Sequence, residues 1–374
     1  MRQAIVVLGA GASFDCVSDQ VSSVPEFLPP LVTGLFDKRY EEILNEYPLA
    51  EQLAPEIRRA TSSGRQVALE AYLRDELLHS EHPDLRWRYH AIPLYLQHLL
   101  FEVSQQFTLH PDNYDSLIME ALRLDKVTFV TLNYDTLLDK RLAIDGQIEA
   151  MRDYIHVGRK WALVKLHGSV NWGRRLIRQD NSPFRYGGEP AAIGVRRRPE
   201  TFAKYYAQRG EDFEVDREIE LRPQESLTET RVHWSSAGTG GGLISPPTEL
   251  AALYYPALAV PLGAEDETVC PDDHVEHVRQ HQQLAPGGLN VLVIGYSGVD
   301  NEVRKLLAWG GRPLASLLVV NGTRESSLAA ADALTRELKC DMTEEMAFPG
   351  GFDEFVRSGE LARWFRSLPD TGGD

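Results

Sequence analysis

The chain has 374 residues with 39 Lys+Arg against 55 Asp+Glu, a formal net charge of -16 and a pI near 5.2, so its surface repels phosphate backbones and argues against direct nucleic-acid binding. Hydrophobic content of 43% and charged content of 25% are ordinary for a globular protein, and the length exceeds one standard core, which predicts a large domain with insertions or two domains. Three isolated cysteines (Cys16, Cys270, Cys340) exclude a four-Cys zinc knuckle; with no charged leader after Met1 and no apolar run near the ~20 residues that span a bilayer, a cytoplasmic protein with no membrane contact is expected.

Ala4-Ile-Val-Val-Leu8 is a short β-branched run, read as a buried parallel strand, and Gly9-Ala-Gly-Ala-Ser13 follows it directly. Residues 14–125 read as mostly helical. Val67, Leu69, Tyr72, Leu73 and Leu77 recur at helical spacing, as do Leu94, Tyr95, Leu99 and Val103. A helix over Tyr114–Leu124 precedes a strand over Val127–Leu132, which ends in Asn133-Tyr134-Asp135 and turns into another helix. A third strand, Trp161–Leu166, ends at His167-Gly168.

Residues 173–240 are rich in Arg, Glu, Gly and Pro and read as an irregular insertion, closed by Gly238–Gly242. Leu243-Ile-Ser-Pro-Pro247 suggests a short strand, 272–283 a helix, and Leu289–Ile294 a strand ending at Gly295-Tyr-Ser297. A helix over Glu302–Trp309, a strand over Leu317–Val320 ending at Asn321, and helices near 328–338 and 353–366 complete the chain. Apolar strands alternating with helices predict an α/β fold, a Rossmann-like doubly wound parallel sheet with a helical insertion and a second small inserted region. In such sheets ligands bind beyond the carboxyl ends of the strands, where every unusual polar cluster here falls.

Each cluster read alone has a plain structural alternative. Gly9–Ser13 suits a tight turn as well as a phosphate cradle, and it lacks the third Gly of the dinucleotide fingerprint because Phe14 stands there. Asn133 and Asp135 suit a helix cap as well as a crevice. His167 suits a core position as well as a general base. His274, His277 and His281, beside Cys270 and Asp273, have ligand-like spacing but are read as a polar helix face rather than a metal site. Trp161 and Trp172 are read as aromatic packing rather than base stacking.

Taken in order, the clusters resemble the sirtuin-like family. Its G-A-G-x-S, T-Q-N-I-D, H-G, G-T-S and I-N motifs are matched by Gly9–Ser13, Thr131-Leu-Asn-Tyr-Asp135, His167-Gly168, Gly295-Tyr-Ser297 and Val320-Asn321. Lys165-Leu-His-Gly-Ser-Val-Asn-Trp172, Ser245-Pro-Pro-Thr248 and Val293–Asp300 look like the bacterial branch found in anti-phage defence systems. The likeness covers about residues 4–323, leaving 324–374 as a C-terminal helical extension. It implies a catalytic domain over 1–323 that takes NAD+ as substrate, hydrolyses it to nicotinamide and ADP-ribose without a metal, and depletes NAD+ in defence.

Under that resemblance Gly9, Ala10, Gly11, Ala12, Ser13 and Ser297 would hold pyrophosphate and ribose, Asn321 the adenosine ribose, and Thr131, Gly295 and Tyr296 would complete the NAD+-binding set. Asp135 would sit near the carboxamide, Asn133 would orient the ribose or the attacking water, and His167 would act as general base. The four-Cys zinc module of the deacylases is missing, which argues against protein deacylation. A protein deacylase or ADP-ribosyltransferase, and a non-catalytic NAD+ or ADP-ribose sensor, remain as alternatives. A homo-oligomer, and a partner such as an HerA-type ATPase or a short Argonaute, are the expected assemblies.

Overall fold

The computed structural model describes residues 1–16, 30, 34–62, 83–105, 113–178, 213–222, 254–259, 269–285, 287–298 and 300–369. In chain order these form β1 (Gln3–Leu8), α1 (Ala10–Phe14), α2 (Glu41–Leu44), α3 (Pro48–Ser62), α4 (Pro83–Gln105), α5 (Asn113–Ala121), β2 (Lys126–Thr131), α6 (Leu137–Leu142), β3 (Trp161–Lys165), β4 (Gly168–Arg178), β5 (Phe213–Leu221), β6 (Tyr254–Leu258), α7 (Asp272–Gln283), β7 (Leu289–Ile294), α8 (Asn301–Ala308), β8 (Leu314–Val320), α9 (Arg324–Leu338), β9 (Ala347–Phe348), α10 (Gly351–Arg357) and α11 (Glu360–Ser367). They fall into two compact units, one of residues 1–32, 103–168 and 268–374, the other of 33–102 and 169–267.

The first unit is built on a six-stranded sheet in the order β3-β2-β1-β7-β8-β9, parallel at every pairing. β1, β3 and β7 are buried at every residue, which explains why their sequences run apolar without alternation. Val7, Val130, Val164, Val293 and Val319 form one continuous core with Val303, Ala331 and Leu334 of the covering helices. The chain leaves β1 for β2 on one side and reaches β7 on the other, so the order reverses between β1 and β7. That switch point is where a doubly wound sheet opens a crevice. This is the expected Rossmann-like class, with β9 as a sixth strand too short to leave a sequence pattern.

Register gives the sheet a straight rim. Leu8 pairs with Thr131 and Ile294, Thr131 with Lys165, and Ile294 with Val320. The residues that follow these five therefore emerge along one edge. They are Gly9, Leu132-Asn133, Leu166-His167, Gly295 and Asn321.

The second unit contains α2, α3, most of α4, and a three-stranded sheet in the order β5-β4-β6. β4 and β5 pair antiparallel, with a register shift between Arg174 and Leu176. The insertion read as irregular from 173 onward therefore carries strands. Its charged residues hid them, because a strand of an antiparallel sheet needs an apolar face on one side only. Gln97 Nε2 donates to the Val170 carbonyl at 2.8 Å, and Tyr95 OH to the Leu35 carbonyl at 2.7 Å. The helical spacing at 67–77, the three-Arg run Val195-Arg-Arg-Arg198 that reads from the sequence as solvated surface, Gly238–Gly242 and the segment 243–248 lie outside the described residues.

Candidate active site

The glycine-rich turn after β1 is locked against β7. Gly9 N–H donates to the Ile294 carbonyl at 2.9 Å, Gly11 N–H to the Gly295 carbonyl at 3.1 Å, and Ala12 N–H back to the Gly9 carbonyl at 2.9 Å. A Cβ on Gly9 would come within 2.4 Å of the Gly295 oxygen, and one on Gly295 within 2.2 Å of the Ala12 nitrogen. Gly295 also has a φ of +65°, a region that side chains disfavour. In this conformation the glycines let two strand ends approach, and the N–H groups of Gly9, Gly11 and Gly295 are already engaged, the last with the Val320 carbonyl at 2.9 Å.

Ser13 is the hub of a buried network. Its hydroxyl donates to Asp135 Oδ2 at 2.7 Å and accepts from Asn133 Nδ2 at 2.9 Å. A serine oxygen has one donor and two acceptor sites, so Tyr114 OH, 2.9 Å away, is the donor in that contact. The Ser13 hydroxyl is thereby saturated. Asn133 Nδ2 also donates to the Gly9 carbonyl at 3.0 Å, and the Asn133 N–H bonds Thr131 Oγ1 at 3.0 Å. Asn133 thus stitches the end of β2 to the turn after β1.

Asp135 supports the start of the next helix and closes the Ser13 network. Its Oδ1 accepts the Leu137 N–H at 3.0 Å, which starts α6, while Oδ2 faces Ser13. Burial pushes its carboxyl above the usual range, against the opposing pull of Lys165, the Leu137 N–H and Ser13. Lys165, fully buried at the end of β3, donates to the Asp135 backbone carbonyl at 2.5 Å and pairs with Asp139 Oδ2 at 2.9 Å. Tyr154 OH satisfies the other Asp139 oxygen at 2.7 Å.

His167 follows Lys165 by two residues and is partly exposed. Its ring stacks on Tyr134, with centroids 6.1 Å apart and planes at 29°. Asn133 and Asp135 therefore reach the Ser13 network while the residue between them supports the histidine. His167 Nε2 lies 2.9 Å from Asp300 Oδ2. Asp300 is the N-cap of α8, its Oδ1 accepting the Val303 N–H at 2.9 Å. Burial alone would raise the Asp300 carboxyl, but the His167 bond and charge and the Val303 and Glu302 N–H groups outweigh it and hold it below the usual range. The Glu302 carboxyl is raised, chiefly by burial.

Tyr296 is buried and its hydroxyl donates to the Asp300 carbonyl at 2.7 Å, whereas Ser297 is exposed at the rim. Asn321 Nδ2 donates to the Tyr296 carbonyl at 2.9 Å and the Ser326 carbonyl at 3.2 Å, tying the end of β8 to that of β7. Ala10 is partly exposed in α1. The residues singled out in the sequence thus share one rim, and the structure joins Ser13, Asn133 and Asp135 in one network and Tyr296 with Asn321 in another. Sequence reasoning missed Tyr114, Lys165, Asp139 and Asp300 as members of the site. Of these, Lys165 and Asp300 stood without a role inside the stretches Lys165–Trp172 and Val293–Asp300, and an Asp ahead of a helical pattern is also a cap signal.

The histidines of α7 form a polar face that packs inward. His274, His277 and His281 are buried against the sheet. His281 Nδ1 lies 2.7 Å from Thr128 Oγ1 of β2, and His274 Nε2 lies 3.3 Å from the Met151 carbonyl. Among the described residues no group of three or more His, Cys, Asp or Glu is placed to hold a metal, and no helix is long and apolar enough to cross a membrane. Trp161 and Trp172 are each fully buried.

Fold and site together define a doubly wound α/β protein with a histidine, two carboxylates and an asparagine at its switch-point rim. No family model and no curated protein matches the chain. Among solved structures it is similar to a Sir2 in complex with the inhibitor EX-527, 2'-O-acetyl-ADP-ribose and a deacetylated p53 peptide, at TM-score 0.37 and 13% identity over 96% of this chain and 92% of that one. It is also similar to a sirtuin structure that concerns substrate affinity, at TM-score 0.33 and 15% identity over 86% and 82%. What the site can do chemically follows from the side chains of this chain alone.

Proposed function

We propose that the crevice at the β1–β7 switch point takes NAD+ and that the chain hydrolyses its nicotinamide–ribose bond. The observation that supports this most is the His167–Asp300 pair at 2.9 Å, on the same rim as Asn133 and Asp135. It offers a nitrogen base, backed by a carboxylate, beside polar groups locked in one orientation. In the reaction the glycosidic bond breaks, nicotinamide leaves with the bonding pair, and water adds to the oxocarbenium-like anomeric carbon. The products are nicotinamide, ADP-ribose and one proton. His167 takes the proton of the attacking water, a role matched to an imidazole. Asn133 and Asp135 present a fixed amide and carboxyl to the sugar and the carboxamide. The Gly9–Ser13 turn, Gly295, Ser297 and Asn321 line the path of the dinucleotide.

In this reading the cellular role is NAD+ depletion in bacterial anti-phage defence. The chain would act as a homo-oligomer or with a partner such as an HerA-type ATPase or a short Argonaute. The test is to incubate the full chain with NAD+ and quantify nicotinamide and ADP-ribose by chromatography, beside Asn133→Ala and His167→Ala. Release by the wild type and by neither variant supports the reading. Binding of NAD+ with no release by the wild type favours a sensor. Neither binding nor release overturns it.

A further inference from the structure

We infer that Asp300 is a positioning residue that fixes the tautomer of His167, leaving Nδ1 as the nitrogen that works on substrate. The inference rests on the hydrolase reading for its chemistry but on geometry for its assignment. Asp300 cannot swing away from the histidine. Its Oδ1 holds the Val303 N–H at 2.9 Å, and its own carbonyl accepts the Tyr296 hydroxyl at 2.7 Å and Arg304 Nε at 3.3 Å. The remaining oxygen, Oδ2, faces His167 Nε2 at 2.9 Å. An ionised carboxylate only accepts, so the neutral imidazole must carry its proton on Nε2. The ring is held from the side by Tyr134.

Nδ1 is then the unprotonated nitrogen, and it makes no hydrogen bond to a described residue. Asp300, the cap of α8, and Glu302 in its first turn are the acidic groups whose charge interacts with the histidine. One carboxylate therefore serves twice. It caps a helix, which any cap residue could do, and it selects a nitrogen, which an amide in its place could not do reliably.

Asp300→Asn separates the two roles, because asparagine caps a helix as well as aspartate while its amide can present an N–H to Nε2 and reverse the tautomer. Nitrogen-15 NMR of the full chain labelled in histidine, with the His167 signal assigned by its loss in His167→Gln, reads the tautomer directly. The wild type should show Nε2–H with a bare Nδ1, and Asp300→Asn should lose that preference. With NAD+, Asp300→Asn should lower kcat by about 10²–10⁴-fold with KM within about threefold, the contribution of a general base and at its upper end the loss of about 10⁴ seen when the orienting aspartate of a catalytic triad is replaced. A wild-type proton on Nδ1, or a variant that keeps kcat within about threefold, would overturn the assignment. The NMR result decides it even if the wild type releases no nicotinamide, an outcome that would sink only the hydrolase reading.

Discussion

The strand-end cluster of Ser13, Asn133, Asp135 and Lys165 and the histidine face of α7 are both dense groups of polar side chains in the same unit. They differ in what surrounds them. In the first, the Ser13 hydroxyl is saturated by three neighbours, both Asp135 oxygens are engaged, and the cluster ends at a rim where His167 is partly open. In the second, His277 Nε2 is buried without a hydrogen-bond partner among the described residues, and burial, helped by Lys126, lowers the His277 and His281 pKa values to about 4 and about 3. Preorganised polar groups at a crevice can act on a ligand. Neutral histidines packed between a helix and a sheet mainly set stability. Spacing in the sequence cannot separate these cases, since three histidines on one helix face look the same in either setting.

Deleting one imidazole from each region should have opposite effects. His167→Ala should lower NAD+ cleavage by about 10²–10⁴-fold, the usual contribution of a general base, with the thermal midpoint little changed because the ring is partly exposed. His281→Leu should do the reverse, leaving kcat within about twofold. Equal losses in the two variants, measured by nicotinamide release, would abolish the distinction.

Next in size is Lys165→Met. It strands the Asp139 carboxylate, which is 8% exposed, and breaking a buried pair from one side costs about 3–5 kcal/mol. Urea unfolding should show that loss, and Lys165→Met with Asp139→Leu should recover part of it. Full stability in the single variant would mean that the ammonium does not hold the Asp135 carbonyl as the geometry indicates.

How much of this was legible in sequence follows from how local each signal is. The β7 and α7 bounds were readable to the residue, because a β-branched run and a Pro-Asp-Asp start mark themselves. The rim was readable because polar residues set directly after buried strands are costly unless they line a crevice or cap the next helix. Asp300 stood in the sequence only as the end of the stretch Val293–Asp300, and the structure makes it the cap of α8. Its second role depends on His167, on a different strand, and only the register of the sheet brings the two together. β4 and β5 were hidden by charge, β9 by its two-residue length, and the burial of the α7 histidines by the fact that Thr128, which meets His281, lies on β2.

A gentler test uses pH. The α7 histidines are held neutral in the fold, and they gain protons freely only when the chain opens. Below the ordinary histidine pKa of 6.5 the unfolded state therefore binds more protons, so stability is fully present above that pH and falls as pH drops toward about 4. His277 and His281 each contribute a slope of about 1.4 kcal/mol per pH unit in that window. Asp273 eases protonation of His274, while Lys126 opposes it at His277 and His281. Urea midpoints taken between pH 7.5 and 4.5 should trace this slope, and His281→Leu should flatten it. A slope unchanged in that variant would place the titration elsewhere.

The smallest effect is the most discriminating. His277→Leu replaces a buried ring whose Nε2 lacks a partner by an apolar side chain of similar reach. Removing an unsatisfied polar atom is close to neutral or stabilising, so at pH 7.5 the unfolding free energy should change by less than about 1 kcal/mol. At pH 5 the variant should exceed the wild type, because it no longer has a proton to gain on opening. NAD+ cleavage should stay within about twofold at both pH values. A loss of more than about 2 kcal/mol at pH 7.5 would mean that the imidazole has a partner the fold depends on, which would move the α7 face toward the kind of polar cluster found at the rim.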